Sequence, residues 1–202
     1  MRAVLKTPRL TLRPLRPSDA EALHAVWSDT EAMRHWDWPP TRNIAVTRSV
    51  VARQCEEAKH GGALYWAMVL DGRRAAIGAC DLSEIDTHHR RAEIGFLVAR
   101  EFWGQGYAVD AMRAVVAYAT NPLKLERLSA RTHSGNDSSA RLLKRLGFVK
   151  EGTLRAFVWR DGIRRDCELY GLLMPRSLEQ KPLKASRTPR PSTSKRASTR
   201  RS

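Results

Sequence analysis

The chain has 202 residues, enough for one domain with a sizeable core, and its 42% hydrophobic and 28% charged residues form an ordinary globular balance. No segment is apolar over the length of a signal peptide core or a membrane span, so the sequence predicts a cytoplasmic protein that does not enter a membrane. Three widely spaced cysteines argue against a disulfide framework and against a zinc site, and no bound metal is expected.

The net charge of +15 is distributed unevenly along the chain. Residues 179–202 hold eight Lys or Arg against one acid, with three prolines, eight Ser or Thr and almost no apolar side chains. Such a segment cannot bury enough surface to offset its chain entropy. The sequence therefore predicts a folded domain at residues 1–178 and a disordered basic tail at residues 179–202. The tail is either a passive extension or a weak, sequence-independent contact for RNA or the ribosome.

The first part of the chain predicts a strand, two helices and a hairpin. Leucines alternate with polar residues from Leu10 to Leu15, which is typical of a strand. Ser18 or Asp19 can cap a helix that begins near Ala20. A second helix is expected at residues 43–60, and hairpin strands at residues 64–70 and 75–82.

Two loops are expected in this part of the chain. Residues 35–40 place two tryptophans before a double proline, which cannot continue a helix. Those rings either overhang a groove or simply pack under the loop. Residues 83–90 form the second loop, where His88 and His89 are interpreted as solvated side chains because a third metal ligand is missing from the pattern.

The centre of the chain joins a strand at residues 91–98, a glycine-rich turn and a helix that ends before a proline. Gly104 and Gly106 permit backbone conformations that a Cβ would obstruct. The free N–H groups and the dipole at a helix N-terminus favour a bound anion, so the pattern predicts a phosphate site. The alternative is a capped core helix. Its apolar face is expected to consist of Ala108, Met112, Val115, Val116 and Ala119.

The last part of the chain predicts a strand, a short helix and two further strands, at residues 125–132, 137–146, 148–154 and 164–173. The predicted order is β-αα-βββ-α-β-α-ββ. It indicates an α/β (α+β) fold with a central mixed, largely antiparallel sheet of about seven strands, flanked by helices.

The turn Trp103-Gly104-Gln105-Gly106-Tyr107-Ala108 resembles motif A of the GNAT superfamily of acyl-CoA N-acyltransferases, Arg/Gln-x-x-Gly-x-Gly/Ala, with Trp in place of the usual first residue. Asn136-x-x-Ser139 and Leu146-Gly147-Phe148 followed by Glu151-Gly152 are similar to the Rim-like branch, which contains the N-terminal acetyltransferases of ribosomal proteins. The resemblance runs from about Thr7 to Met174, and it implies the GNAT fold.

The resemblance implies acetyl-CoA as co-substrate, without a metal. Its pantetheine would pair with backbone groups of Phe96, Leu97 and Val98, one of which would also face the thioester oxygen. The remaining cofactor-binding residues implied are Trp103, Gly104, Gln105, Gly106, Tyr107, Ala108, Asn136 and Ser139.

Two catalytic residues are also implied. Glu93 lies in an Ala-Glu-Ile segment like that of the histone acetyltransferase branch, whose glutamate is the base, and burial would raise the pKa of such a carboxyl. Alternatively Glu93 pairs with Arg91 or Arg131, and water relays the proton. Many GNAT proteins use a Tyr as the acid where this chain has Leu143. Ser139 matches the serine of the Rim-like branch instead, or it belongs only to a helix cap.

The expected reaction is transfer of an acetyl group to a primary amine by direct attack in a ternary complex. The acceptor is either the N-terminal amine of a protein or a small amine, and the basic domain disfavours polycations. Val158 stands where the ribosomal-protein enzymes have a glutamate, and this difference argues against a ribosomal protein as the substrate. The alternative is a binding protein and not an enzyme. It would be a degenerate acyl-CoA-binding module that its tail tethers to RNA or the ribosome. Sequence gives no oligomeric state.

Overall fold

The structure, a computed structural model, describes residues 3–174, so the predicted tail and the boundary at residue 178 lie outside the described residues. Within them, eight strands form one sheet and four helices pack on it. The strands are β1 (Leu5–Lys6), β2 (Leu10–Pro14), β3 (Leu64–Leu70), β4 (Ala76–Asp86), β5 (Arg91–Val98), β6 (Arg127–His133), β7 (Val149–Arg160) and β8 (Ile163–Leu173). The helices are α1 (Ala20–Trp27), α2 (Ile44–His60), α3 (Tyr107–Thr120) and α4 (Asp137–Arg145).

The strands follow the order β1-β2-β3-β4-β5-β6-β8-β7, and every neighbouring pair is antiparallel except β5 and β6. The parallel pair arises because α3 carries the chain back across the sheet before β6 begins. The predicted α/β class, its mixed sheet and its element order are confirmed. The short β1, which pairs with β2, is the one strand beyond the expected number.

The parallel pair is short. β5 and β6 are in register only where residues 91–93 face residues 127–129. Beyond Glu93 the two strands part, and the remainder of β5 keeps β4 as its neighbour on the other side. The sheet is therefore open along one edge of residues 94–98.

Helices cover both faces of the sheet. Trp66 and Met68 of β3 belong to a core cluster with residues of α3 and α4, whereas the alternate residues Ala67 and Val69 belong to a second cluster with α1 and α2. This alternation is that of a strand buried on both faces. In the described part of the chain, none of the helices is both long and apolar enough to cross a membrane.

Two strands are longer than the sequence pattern predicts. β4 continues to Asp86, so the expected loop at residues 83–90 is wrong over its first half, and β7 continues to Arg160 instead of ending near residue 154. Both extensions contain a register shift with a left-handed residue, Glu84 at φ 50° and Ala156 at φ 52°. A bulge breaks the period of two by which a strand is recognised.

The buried face of α3 is also rotated relative to the prediction. Ala108 and Val116, which were expected in it, are only partly buried. Tyr118 takes part instead, since its ring packs edge-on against Trp66 with centroids 5.8 Å apart. The buried residues of α3 are Val109, Ala111, Met112, Val115, Tyr118 and Ala119.

A glycine holds β4 close to β5 beside the open edge. A Cβ at Gly78 would collide with the carbonyl oxygen of Leu97 and lie 2.9 Å from Cα of Val98. We expect Gly78→Ala to lower the free energy of unfolding by about 1–3 kcal/mol, the usual cost of overpacking, as measured by urea denaturation. Gly152→Ala in β7 is the matched control, because a Cβ there meets nothing within 4 Å. Equal midpoints for the two variants would contradict this account.

Candidate active site

Two cavities lie along the gap between β5 and β6. The first, of about 410 Å³, is bounded by the end of β5 and the starts of α3 and α4. The second, of about 310 Å³, extends over β4, β5 and β6 beneath the loop that follows α1. Both are lined by His35, Trp36, Phe96, Leu97, Asn136 and Ser139, so they meet at these residues.

The predicted glycine turn forms one wall of the first cavity. Gly104 (φ 72°) and Gly106 (φ 83°) both have left-handed backbones, a conformation that favours glycine. The first hydrogen bond inside α3 runs from the Asp110 N–H to the Gly106 carbonyl, so the preceding N–H groups have no helical acceptor. They create a site for an anion. The predicted residues that line this cavity here are Trp103, Gly104, Gly106, Tyr107 and Ala108.

Two side chains hold the turn in place. Arg9, which sequence reasoning missed, donates to the Gln105 carbonyl at 2.9 Å and to Oδ2 of Asp110 at 2.8 and 2.6 Å. Gln105 is the one predicted turn residue outside the cavity lining, and its carbonyl anchors the turn to Arg9. On the other side, Nε1 of Trp103 donates to the Val98 carbonyl at 2.7 Å. The turn is therefore fixed both to the N-terminal strands and to the end of β5.

The open edge of β5 presents alternate backbone groups to the gap. The Ala99 N–H donates to the carbonyl of Ile77, on the β4 side. Because backbone groups alternate in direction along a strand, those of Leu97 also point towards β4. Those of Phe96 and Val98 then point into the gap, where an extended amide chain could pair with them.

The start of α4 supplies the residues at the junction of the two cavities. Oδ1 of Asn136 accepts from the Ser139 N–H at 3.2 Å and from the Ser138 hydroxyl at 2.9 Å, so the expected helix cap is present. The Ser139 hydroxyl itself has no hydrogen-bond partner among residues 3–174. Ser139 therefore combines a capping backbone with a hydroxyl that is free for a ligand.

Glu93 lies in the second cavity and is ion-paired. The Nε of Arg131 donates to both carboxylate oxygens of Glu93, at 2.9 and 3.2 Å, and the Arg131 guanidinium also stacks over Phe157 at 5.1 Å. Burial raises the pKa of Glu93, and the charge of Arg131 opposes that rise. The pairing is the alternative that the sequence left open, and the role of Glu93 as base stays a prediction.

Asp81 is a further carboxyl in the lining of this cavity, beside Glu93 and Asp37, and sequence reasoning missed it. Burial raises its pKa to about 7, with a further rise from the negative charge of Glu93, while a hydrogen bond from Ser83 lowers it. Its position in the middle of an apolar strand, Ala-Cys-Asp-Leu, was the one available signal in the sequence.

A buried arginine fixes the loop that covers the second cavity. The guanidinium of Arg160, on β7, donates from Nη1 to the carbonyls of Met33 at 2.6 Å and Trp36 at 2.7 Å. His133 of β6, also buried, contacts Oδ1 of Asp37 through Nε2 at 3.0 Å. The Trp36 and Trp38 rings line the cavity and contact one another at a tilt of 53°, with centroids 5.2 Å apart, and Trp38 is 45% exposed. The two tryptophans therefore belong to a tethered cover.

Metal ligands are not grouped in the described residues: no set of three or more His, Cys, Asp or Glu side chains could hold an ion. The rings of His88 and His89 meet edge-to-face at an exposed turn.

Comparison with known proteins identifies the fold and chemistry together. The family model described as an acetyltransferase (GNAT) domain matches residues 9–149, well over half of the chain. The chain belongs to the GNAT acetyltransferase family. It is an acyltransferase of this family, and the predicted family resemblance is confirmed.

This chain matches its GNAT relatives over nearly their whole length. The uncharacterized N-acetyltransferase YoaA of Bacillus subtilis is 31% identical, over 86% of this chain and 98% of that protein. The ribosomal protein uS5-alanine N-acetyltransferase of Escherichia coli is 27% identical, over 85% and 91%, which supports the Rim-like branch. In fold, the chain resembles spermidine N-acetyltransferase from Vibrio cholerae, solved with CoA and spermine, at a TM-score of 0.72 and 23% identity, over 81% and 95%.

The tether of the cover can be tested by removing its charge. Arg160→Met leaves the carbonyls of residues 33 and 36 without their donor, and hydrogen bonds to charged groups are worth about 1.5–3 kcal/mol. We expect the free energy of unfolding to fall by a similar amount and hydrogen exchange at residues 33–38 to accelerate. Arg164→Met is the control, since the exposed Arg164 lies on the same hairpin and contacts the Ala156 carbonyl at 3.4 Å and the exposed Trp159 ring at 5.3 Å, away from the cover. Unchanged exchange at residues 33–38 would refute the tether.

Proposed function

We propose that this protein transfers an acetyl group from acetyl-CoA to the N-terminal amine of a polypeptide, by direct attack in a ternary complex. The observation that carries the proposal is the meeting of two cavities at the open edge of β5, with Phe96 and Ser139 in the lining of both. One cavity suits an anionic, extended co-substrate, and the other suits an amine. Their shared lining would bring the thioester beside the amine, and positioning of this kind supplies much of the rate acceleration.

The first cavity fits the chemistry of acetyl-CoA. Its free N–H groups at the start of α3 would bind the pyrophosphate, and Gly104 and Gly106 leave the backbone accessible there. The backbone of Phe96 and Val98 would pair with the amides of pantetheine, as a further strand pairs with a sheet edge. A backbone N–H at the end of β5 would then donate to the thioester oxygen and stabilise its developing negative charge.

Ser139 would act where the two substrates meet. Attack of a neutral amine on the thioester carbon breaks the carbon–sulfur bond and leaves a thiolate that needs a proton. The Ser139 hydroxyl has no protein partner in residues 3–174, so it is free to pass that proton to the sulfur.

The charges of the second cavity favour a single amine over a polyamine. Glu93 is neutralised by Arg131, and Asp37 lies against His133, so Asp81 is the carboxyl without a basic partner among the described ion pairs. A polyamine carries several charges and would be repelled by the basic domain, residues 1–178, which hold +8 of the net charge. An extended peptide carries one charge at its end. The name of the uS5-alanine relative points the same way, whereas that of the spermidine relative favours the competing acceptor.

A thiol-release assay with acetyl-CoA tests the proposal. The panel contains pentapeptides with free N-terminal alanine, serine or methionine, the same peptides with a blocked N-terminus, and spermidine. We expect release with free peptides only. Release with spermidine alone would replace the acceptor, and acetyl-CoA binding without any release would favour the binding-module alternative.

The anion turn is tested with a charge that faces the first cavity. Gly104→Glu adds a carboxylate to the wall that would hold the pyrophosphate, so the Kd for acetyl-CoA should rise by more than about 100-fold in calorimetric titration, as expected for like charges at short range. Gly162→Glu is the control, because Gly162 has a similar φ of 75° in the β7–β8 turn and equal free space. Similar affinities in the two variants would exclude the turn as the binding site.

The acid is tested at the junction. Ser139→Ala should lower kcat by about 10-fold or more, since proton transfer by a side chain typically contributes 10² to 10⁴. Ser138→Ala is the neighbouring control, because Ser138 lines only the first cavity and its hydroxyl is bonded to Asn136. If Ser139→Ala weakens acetyl-CoA binding and leaves kcat at saturation unchanged, Ser139 is a cofactor contact only.

A further inference from the structure

Asp81 occupies a position that the family resemblance did not assign. It lies on β4 directly opposite Gly95 of β5, and Gly95 immediately precedes Phe96, where the two cavities meet. A Cβ at Gly95 would come within 2.6 Å of Oδ1 of Asp81. The carboxyl therefore lies across the bare backbone of β5, in the space that a side chain at position 95 would fill.

Glu93 is farther from the junction than Asp81. The register pairs Glu93 with Ser83 and Gly95 with Asp81, so Glu93 lies two residues back along the strand, a distance of about 7 Å at the usual rise. The Glu93 carboxylate is also held by Arg131 through both oxygens. An approaching ammonium would have to displace that guanidinium.

The groups around Asp81 come from strands β3, β4, β5, β6 and β8, from α2 and from the loop after α1. Tyr65 of β3 is its antiparallel neighbour, but the Tyr65 hydroxyl donates to Glu57. Glu93 of β5 adds a negative charge, and Ser83 of β4 adds a hydrogen bond. The other charged or titratable groups that line this cavity are His35, Asp37, Arg53, Cys80, Arg131, His133 and Cys167. Among residues 3–174, no Lys, Arg or His forms an ion pair with Asp81.

This environment suits a group that exchanges a proton with the acceptor. Burial raises the pKa of Asp81 to about 7. A carboxyl of that kind is protonated below this pH and charged above it, so near neutrality it can both accept a proton and return it to solvent. A carboxylate held by an arginine is a weaker proton acceptor.

On the basis of the proposed function, we propose that Asp81 is the catalytic base that deprotonates the acceptor ammonium. The Asp81 carboxylate takes one proton from the ammonium, and the nitrogen lone pair then forms a bond to the thioester carbon. The carbon–sulfur bond breaks, and the second proton that the nitrogen loses passes through Ser139 to the thiolate. Asp81 gives its own proton to water, so each cycle yields an amide, a thiol and one proton. Glu93 and Arg131 form the wall of the acceptor cavity.

The test compares two acceptors that differ in the proton to be removed. One is a pentapeptide that begins with alanine, and the other is the same peptide beginning with trifluoroalanine, whose fluorines lower the pKa of the amine so that it is neutral at neutral pH. We expect Asp81→Asn to lower kcat on the alanine peptide by about 10² to 10⁴, the usual contribution of a base. On the trifluoroalanine peptide most of the activity should remain.

The pH profile supplies an independent readout. In the wild type, kcat on the alanine peptide should rise as pH increases through about 7, where Asp81 loses its proton. In Asp81→Asn this rise should move to higher pH, where the acceptor amine itself becomes neutral. Glu93→Gln should keep the rise, whatever its effect on the acceptor KM. Gly95→Ala, which displaces the Asp81 carboxyl without removing it, should lower kcat on the alanine peptide as well.

The outcomes separate the two proposals. The base assignment is overturned if Asp81→Asn retains kcat, or if it loses the same factor on both peptides, which is the result of a structural role. It is also overturned if the rise moves to higher pH in Glu93→Gln instead. Acetyl-CoA titration and a thermal melt of each variant show whether it is folded and loaded. A wild type that binds acetyl-CoA but acetylates neither peptide nor spermidine would overturn the proposed function itself, and the base with it.

Discussion

The early parting of β5 from β6 is the constraint on which the rest of this structure depends. Three residue pairs join the two strands, and the following part of β5 has no strand partner on that edge in the interior of the sheet. Unpaired backbone groups are costly when they are shielded from water, so an open edge of this kind is stable only where solvent or a ligand can reach it. The glycine turn, the cap of α4 and the tryptophan loop all border this gap, which accounts for the position of the site.

Charge around the gap is arranged in pairs. Arg9 neutralises Asp110 at the start of α3, where a free carboxylate would oppose an incoming phosphate, and Arg131 neutralises Glu93 on the acceptor side. Both ion pairs are partly exposed, so each contributes little to stability and more to the local potential. Asp81 stands outside this pattern, and its carboxyl is the group left to respond to an amine. The composition of the protein is thus strongly basic, whereas the charged side chains at its site are paired and leave a single carboxyl, that of Asp81, to respond.

Local patterns in the sequence predicted local structure well. β3 and β5 were predicted with their observed ends, because each is an apolar run bounded by turn residues, and the glycine turn and the Asn136 cap were readable as short motifs. The contacts that complete the site are not local. Arg9 and Arg160 reach carbonyls that lie 96 and 127 residues away, and Asp81 faces its cavity only through the register of β4 with β5. Bulges in β7 concealed its length for the same reason, since only pairing with β8 reveals them.

The contacts of Arg9 show that a residue can be intolerant of mutation without lying near a ligand. Arg9 lies outside the lining of either cavity on the gap, yet it holds the carbonyl of Gln105 and the first turn of α3 from the far side of the loop. A substitution of Arg9 would therefore alter the shape of the anion turn, although every residue that lines the cavity stayed the same. In a comparison of sequences from this family, an arginine near the beginning of the chain should vary together with an acid in the first turn of the central helix rather than with the residues that surround the cofactor.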